Sequence, residues 1–208
     1  MPSTPPQDVR CTALSSQSLQ VSWDPPPDSS LNGILKGYKI MWESMDSLTE
    51  TMKTYSKVTT ALTVVLHSLE KHTNYSVQAA AFTRAGDGAP SPSLYCMTEE
   101  DLPEVPAGVK AVASSDSSII VSWQPPLRAN GIITSYNVHV RAVGPEGKWY
   151  RRALSPHQTS YEAESLHKRN QYEFSIAAVT SVGEGPRTPS IILSSSSSSN
   201  EGITSSVI

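Results

Sequence analysis

Cysteine, charge and long apolar runs are all scarce in this sequence. It has two cysteines in 208 residues. A zinc site needs four ligands, and no paired spacing supplies them. Charged residues make up only 17%, with a formal net charge of -3. A phosphate-binding surface needs a marked basic excess, so no nucleic-acid partner is expected. Residues 1–102 hold seven Lys and Arg against eleven Asp and Glu, and residues 103–208 hold nine against eight, which is ordinary surface variation. No apolar run approaches the roughly 20 residues of a membrane helix. The start, Met1 to Pro6, lacks the basic and apolar stretches of a signal peptide. If the protein is extracellular, the sequence is expected to be a fragment with an added Met1.

No stretch long enough for a helix shows a helical period. No Gly-rich loop follows a strand and opens a helix, so no phosphate-binding loop and no cofactor are expected. The five histidines, His67, His72, His139, His157 and His167, stand beside no nucleophile motif. They read as solvated surface residues, with His139 in the polar set of its strand. The chain therefore reads as no enzyme, with no catalytic, cofactor or metal residues.

What is present is a repeat, the first thing to seek in a sequence. Val21-Ser22-Trp23-Asp24-Pro25-Pro26 recurs as Val121-Ser122-Trp123-Gln124-Pro125-Pro126. Asn32-Gly33-Ile34 recurs as Asn130-Gly131-Ile132, and Gly86-Asp87-Gly88 as Gly183-Glu184-Gly185. Tyr38 answers Tyr136, Leu69 answers Leu166, and Tyr75 answers Tyr172. A period this long is a whole domain.

Within each unit, apolar residues alternate in short runs bounded by Pro, Gly or Asn, the pattern of half-buried strands. Leu19, Val21 and Trp23 share one face; Tyr38, Ile40 and Trp42 share another; Tyr75, Val77, Ala79 and Ala81 a third. The second unit repeats this with Ile119, Val121 and Trp123, then Tyr136, Val138 and Val140, then Tyr172, Phe174, Ile176 and Ala178. The expected fold is all-β: two consecutive seven-stranded, immunoglobulin-like sandwiches. The domains are expected at 1–101 and 102–193. They meet in the acidic, proline-bearing stretch around Glu99 to Pro106, which resists pairing. A Ser-rich, disordered tail is expected at 194–208.

Each unit resembles a fibronectin type III domain. That family sets a Trp on its second strand and a Leu six residues before a Tyr on its sixth. Trp23, Leu69 and Tyr75 fill these places, then Trp123, Leu166 and Tyr172, and these six are the expected core markers. The Leu–Tyr spacing fits a tyrosine corner, whose hydroxyl bonds backbone a few residues upstream. Where the family has Pro two residues after the Leu, this chain has Lys71 and Lys168, which leaves the turn less rigid. An immunoglobulin domain is the rival, but it wants Cys on both strands where none stands here.

Cys11 falls on the first strand and Cys96 on the last. Such strands can run near each other, so a disulfide is expected; two free buried thiols are the alternative. Asn74-Tyr75-Ser76 is a glycosylation sequon, and Asn74 should point outward because Tyr75 points in. Arg84-Ala85-Gly86-Asp87-Gly88 lies where an integrin-binding member of the family carries Arg-Gly-Asp, but here the motif is interrupted. Its glycines read as turn residues. Arg151-Arg152 and Lys168-Arg169 read as solvated charge rather than a glycan site.

Three stretches are similar to the Down syndrome cell adhesion molecule (Dscam) family: Cys11 to Trp23, Tyr75 to Gly88, and Leu94 to Asp101, with Thr134 to Asn137 in the second unit. The invertebrate members look nearest, and the serine tail does not fit. The resemblance implies a fragment of a single-pass cell-surface receptor for neuronal recognition, axon guidance and immune recognition. It implies a protein partner, homophilic or heterophilic, met mainly through domains absent here. Two other classes compete: a ligand-binding module of a cytokine-receptor-like or phosphatase ectodomain, and an intracellular structural repeat. The missing Trp-Ser-x-Trp-Ser signature counts against the first, and the Cys pair and sequon against the second.

Overall fold

Side chains two residues apart point to one face of a strand, and that period builds this chain throughout. The computed structural model describes residues 1–46 and 53–195. The chain divides into two compact units, Met1–Glu99 and Glu100–Ile208.

Unit 1 runs β1 (Gln7–Ser15), β2 (Ser18–Asp24), β3 (Gly37–Ser44), β4 (Tyr55–Thr59), β5 (Thr63–Leu66), β6 (Asn74–Thr83), β7 (Gly86–Asp87) and β8 (Leu94–Met97). One sheet has the order β1-β2-β5; in the other β4, β3 and β6 lie side by side, with β7 and β8 both on β6. All pairings are antiparallel. Among the described residues, unit 1 adds to the seven expected strands the two-residue β7, where the chain leaving β6 folds straight back and pairs Gly86 with Thr83. A 3-10 turn at Asp28–Ser30 is the only helical element among the described residues.

The two sheets close on Leu19, Val21 and Trp23 of β2, Tyr38 and Ile40 of β3, and Tyr75, Val77, Ala79 and Ala81 of β6. Trp42 continues the β3 face but is only partly buried, stacking on Tyr55 with centroids 5.9 Å apart. Strand β2 stops for a simple reason. The Trp23 N–H still finds the Leu62 carbonyl at 3.1 Å, but Pro25, Pro26 and Pro27 have no N–H to offer.

Unit 2 runs β9 (Ala107–Ser115), β10 (Ser118–Gln124), β11 (Ser135–Ala142), β12 (Tyr150–Leu154), β13 (Ser160–Ala163), β14 (Gln171–Val179) and β15 (Ile191–Ser194). Its sheets have the orders β13-β10-β9 and β12-β11-β14-β15. Ile119, Val121, Trp123, Tyr136, Val138, Val140, Phe174 and Ile176 form its core with Leu166 and Tyr172. Ser194 closes β15 opposite Gln171, and Ser195 behind it is fully buried. The rest of the serine-rich tail lies outside the described residues.

Both indoles are shut in, Trp23 and Trp123 each 1% exposed. Trp23 tilts against Tyr38 at 5.4 Å, and Trp123 against Tyr136 at 5.6 Å. Neither Nε1–H has a hydrogen-bond partner among the described residues. The packing gain of a side chain this large outweighs an orphan donor costing about 1–3 kcal/mol. No helix among the described residues is long and apolar enough to cross a membrane.

Candidate functional site

Three constructions beyond the core use the residues that the sequence singles out. The first is the disulfide. Cys11 on β1 and Cys96 on β8 are bonded, Sγ to Sγ, and both side chains lie against the unit 1 core. Cys96 pairs with Tyr75 and Cys11 with Val21, so both cysteines share the inward face. The bond ties an edge of one sheet to an edge of the other. In unit 2 the matching places hold Ala111, paired with Val121, and Leu193, paired with Tyr172. Both pack on the core there as ordinary apolar residues.

The second is the tyrosine hydroxyl at the start of the sixth strand. Tyr75 Oη accepts the Glu70 N–H at 2.7 Å, and Tyr172 Oη accepts the His167 N–H at 2.8 Å. Leu69 and Leu166 are buried just before these donors. Burial is the largest cause raising the Tyr75 pKa above 10.0, so the hydroxyl keeps its proton at neutral pH. Lys168, in the place of the usual Pro, reaches Asp116 at 2.8 Å across an exposed surface.

The third is the Gly-acid-Gly loop after the sixth strand. Gly86 and Gly183 adopt φ of +119° and +148°, a region that favours glycine. The acid between the glycines bends back onto the outer face of the sheet. Asp87 takes Lys39 Nζ at 3.0 Å. Glu184 takes Asn137 Nδ2 at 3.1 Å and His139 Nε2 at 2.6 Å. The second glycine makes room for the chain entering the unit. A Cβ on Gly88 would meet the Pro2 carbonyl oxygen at 2.8 Å, and one on Gly185 would meet that of Pro103 at 2.3 Å. Asn32 and Asn130 complete the clasp, donating to the carbonyls of Met1 and Leu102 at 3.2 and 3.0 Å. The interrupted Arg-Gly-Asp look-alike thus belongs to a loop anchor, with Asp87 already engaged.

The histidines need one correction. His139 is not a solvated surface residue: it is 5% exposed and clamped to Glu184. Its strand's outer face is roofed over, because Glu184 folds onto it and a second group closes beside it. Arg141 Nε donates to Glu173 at 2.5 Å, and the Arg141 guanidinium stands 4.7 Å from the Trp149 ring, with Arg187 at 6.0 Å. Alternation alone marks this face as outward, and the loop that covers it leaves no periodic signal. The Glu184 carboxyl is lowered from its usual 4.5: burial, the largest effect, raises it, but the bonds from His139 and Asn137 and the charges of His139 and Arg187 together outweigh burial. Glu173 is lowered by hydrogen bonds from Ser190 and Arg141. His67, His157 and His167 are exposed, and His72 is partly so.

Asn74 opens β6 on its outward face, half-buried, between Asp46 and Met97. Arg151 and Arg152 are exposed on the edge strand β12, with Arg152 over the Tyr150 ring at 5.9 Å. No three or more His, Cys, Asp or Glu side chains among the described residues are placed to hold a metal ion.

The fibronectin type III domain family model matches residues 4–97 and 104–194. The cell adhesion molecule Dscam2 of Drosophila melanogaster is 50% identical over 189 residues, covering 89% of this chain and 9% of that protein. Dscam1 of the same organism is 42% identical over 191 residues, covering 92% and 10%. The human cell adhesion molecule DSCAML1 is 44% identical over 188 residues, covering 89% and 9%. The chain thus spans about a tenth of the length of these curated relatives. Among solved structures, a two-domain fibronectin type III segment of chicken tenascin is 19% identical with a TM-score of 0.45, covering 92% of this chain and 99% of that one. With the indole core, the tyrosine corner and the matched stretches present in both units, the chain belongs to the fibronectin type III family, as two consecutive members of it.

Proposed function

We propose that this chain is an extracellular stretch of a single-pass, Dscam-like cell-surface adhesion receptor, and that it serves there as a non-catalytic spacer and protein-contact module. The observation that carries this reading is the likeness to cell adhesion molecules, which runs through both units rather than one. The Cys11–Cys96 bond supports an oxidising compartment outside the cytosol. The buried polar groups of the unit 2 sheet are spent on one another, which suits a stiff module better than a reacting site. The partner is another protein, homophilic or heterophilic, engaged mainly through domains beyond this stretch. Neuronal recognition, axon guidance and immune recognition are the settings proposed for the parent receptor. Asn74 is proposed to carry an N-glycan, since neighbouring Tyr75 faces the core and the Asn74 side chain therefore leaves the sheet outward.

Antibodies against this chain should stain intact cells that make the parent protein. Staining only after permeabilisation would overturn the extracellular reading. Beads coated with the chain alone should stay dispersed. Clustering of such beads would make it an adhesive surface in its own right and remove the spacer role.

A further inference from the structure

We propose that Met45, Tyr95 and Met97 form a seat on which an N-linked glycan at Asn74 packs, so that sugar and sheet present one surface. This rests on the reading of Asn74 as glycosylated.

The register places these side chains together. Asn74 pairs with Met97, and Ser76 with Tyr95, across β6 and β8. Tyr75 and Cys96 between them face the core. Asn74, Ser76, Tyr95 and Met97 therefore share the outward face. On the other flank the Asn74 carbonyl accepts the Met45 N–H at 2.8 Å, just past the end of β3. Met45, Asn74 and Met97 form one row, and Glu43, Ser76 and Tyr95 the next.

The apolar members of these rows stand in water. Met45 is 41% exposed, Met97 46% and Tyr95 60%. A single exposed apolar side chain means nothing, but three around one attachment point make a patch. A glycan starting at Asn74 Nδ2 begins above the Met45–Met97 row. The Tyr95 row lies two residues along the strand, about 6.6 Å away, within reach of the first sugars. The C–H face of a pyranose packs on an aromatic ring, and an acetamido methyl packs on a thioether.

Unit 2 supplies the comparison. In the places of Asn74 and Ser76 it has Gln171 and Glu173, so there is no sequon. In the places of Tyr95 and Met97 it has Ile192 and Ser194, with no ring and no thioether. There the row is used differently, Glu173 closing onto Arg141. The ring–thioether pair and the sequon occur together in one unit and are absent together from the other.

The test uses the whole chain secreted from eukaryotic cells, beside its Asn74→Gln variant made in the same way. Amide hydrogen exchange is read along Asn74–Val77 and Leu94–Met97. The glycosylated chain should exchange about two- to tenfold more slowly there, the change expected of one aromatic contact. The double variant Tyr95→Ser with Met97→Ser, both exposed positions, should keep the glycan and lose the slowing. If the glycan is present but gives no slowing, or if the slowing survives the double variant, the seat does not exist while glycosylation stands. If mass spectrometry finds Asn74 bare, both ideas fall.

Discussion

Cys11 and Cys96 are separated by 85 residues in sequence and by 6.2 Å between Cα atoms, with one in β1 and the other in β8. The bond between them closes nearly the whole of unit 1 into a loop. Its counterpart in unit 2, Ala111 with Leu193, holds only by packing. A loop of this length removes roughly 4.5 kcal/mol of chain entropy from the unfolded state, an upper figure in practice. Reduction is therefore expected to destabilise unit 1 by up to about 4.5 kcal/mol and to leave unit 2 unchanged. Urea denaturation with and without reductant, followed by exchange of amides in each unit, checks this. Equal shifts in both units would contradict it.

Tyr75→Phe removes one oxygen and strands the Glu70 N–H in a partly buried turn. The expected loss is about 1–3 kcal/mol for unit 1, with Tyr172→Phe doing the same to unit 2. Denaturation midpoints read out the change. A neutral result would mean that water replaces the hydroxyl.

Gly185→Ala puts a Cβ 2.3 Å from the Pro103 carbonyl oxygen, a backbone atom that cannot swing aside. The entering chain must shift, so unit 2 should lose about 1–3 kcal/mol. Gly88→Ala, facing Pro2 at 2.7 Å, should act likewise on unit 1. Hydrogen exchange at residues 104 and 185 should rise first, since the Glu104 and Gly185 amides bond within this clasp.

The acid response of unit 2 follows from Glu184. Its carboxyl is lowered from 4.5 in the folded chain. Its stabilising contribution is therefore complete above about pH 4.5 and is lost as the pH falls through the lower folded value. Glu184→Gln should be less stable near neutral pH and should flatten the fall in stability as the pH drops below about 4.5. A variant with the wild-type slope in that window would show that Glu184 is not the responsible group.

Much of this was legible in the residues. Trp23 and Trp123 followed by proline marked the second strands, and the six-residue step from Leu69 to Tyr75 marked the corner. His139 was not legible. It sits at an outward position of β11, and its burial depends on Glu184 arriving from a loop 45 residues later. The fate of Asp87 was hidden in the same way: its glycine neighbours read as turn residues, and nothing beside it points to Lys39, 48 residues earlier, which takes its charge.

The sequence by itself determined the second, third and sixth strands of each unit, the number of domains and which faces of those strands point inward. These depend on alternation and on residues that lack an N–H or tolerate positive φ, all properties of neighbours along the chain. Only the tertiary structure decided which charges are paired, which glycine leaves room for which proline, and which apolar side chains surround Asn74. Those depend on distances between strands, and side-chain alternation repeats too simply to encode them.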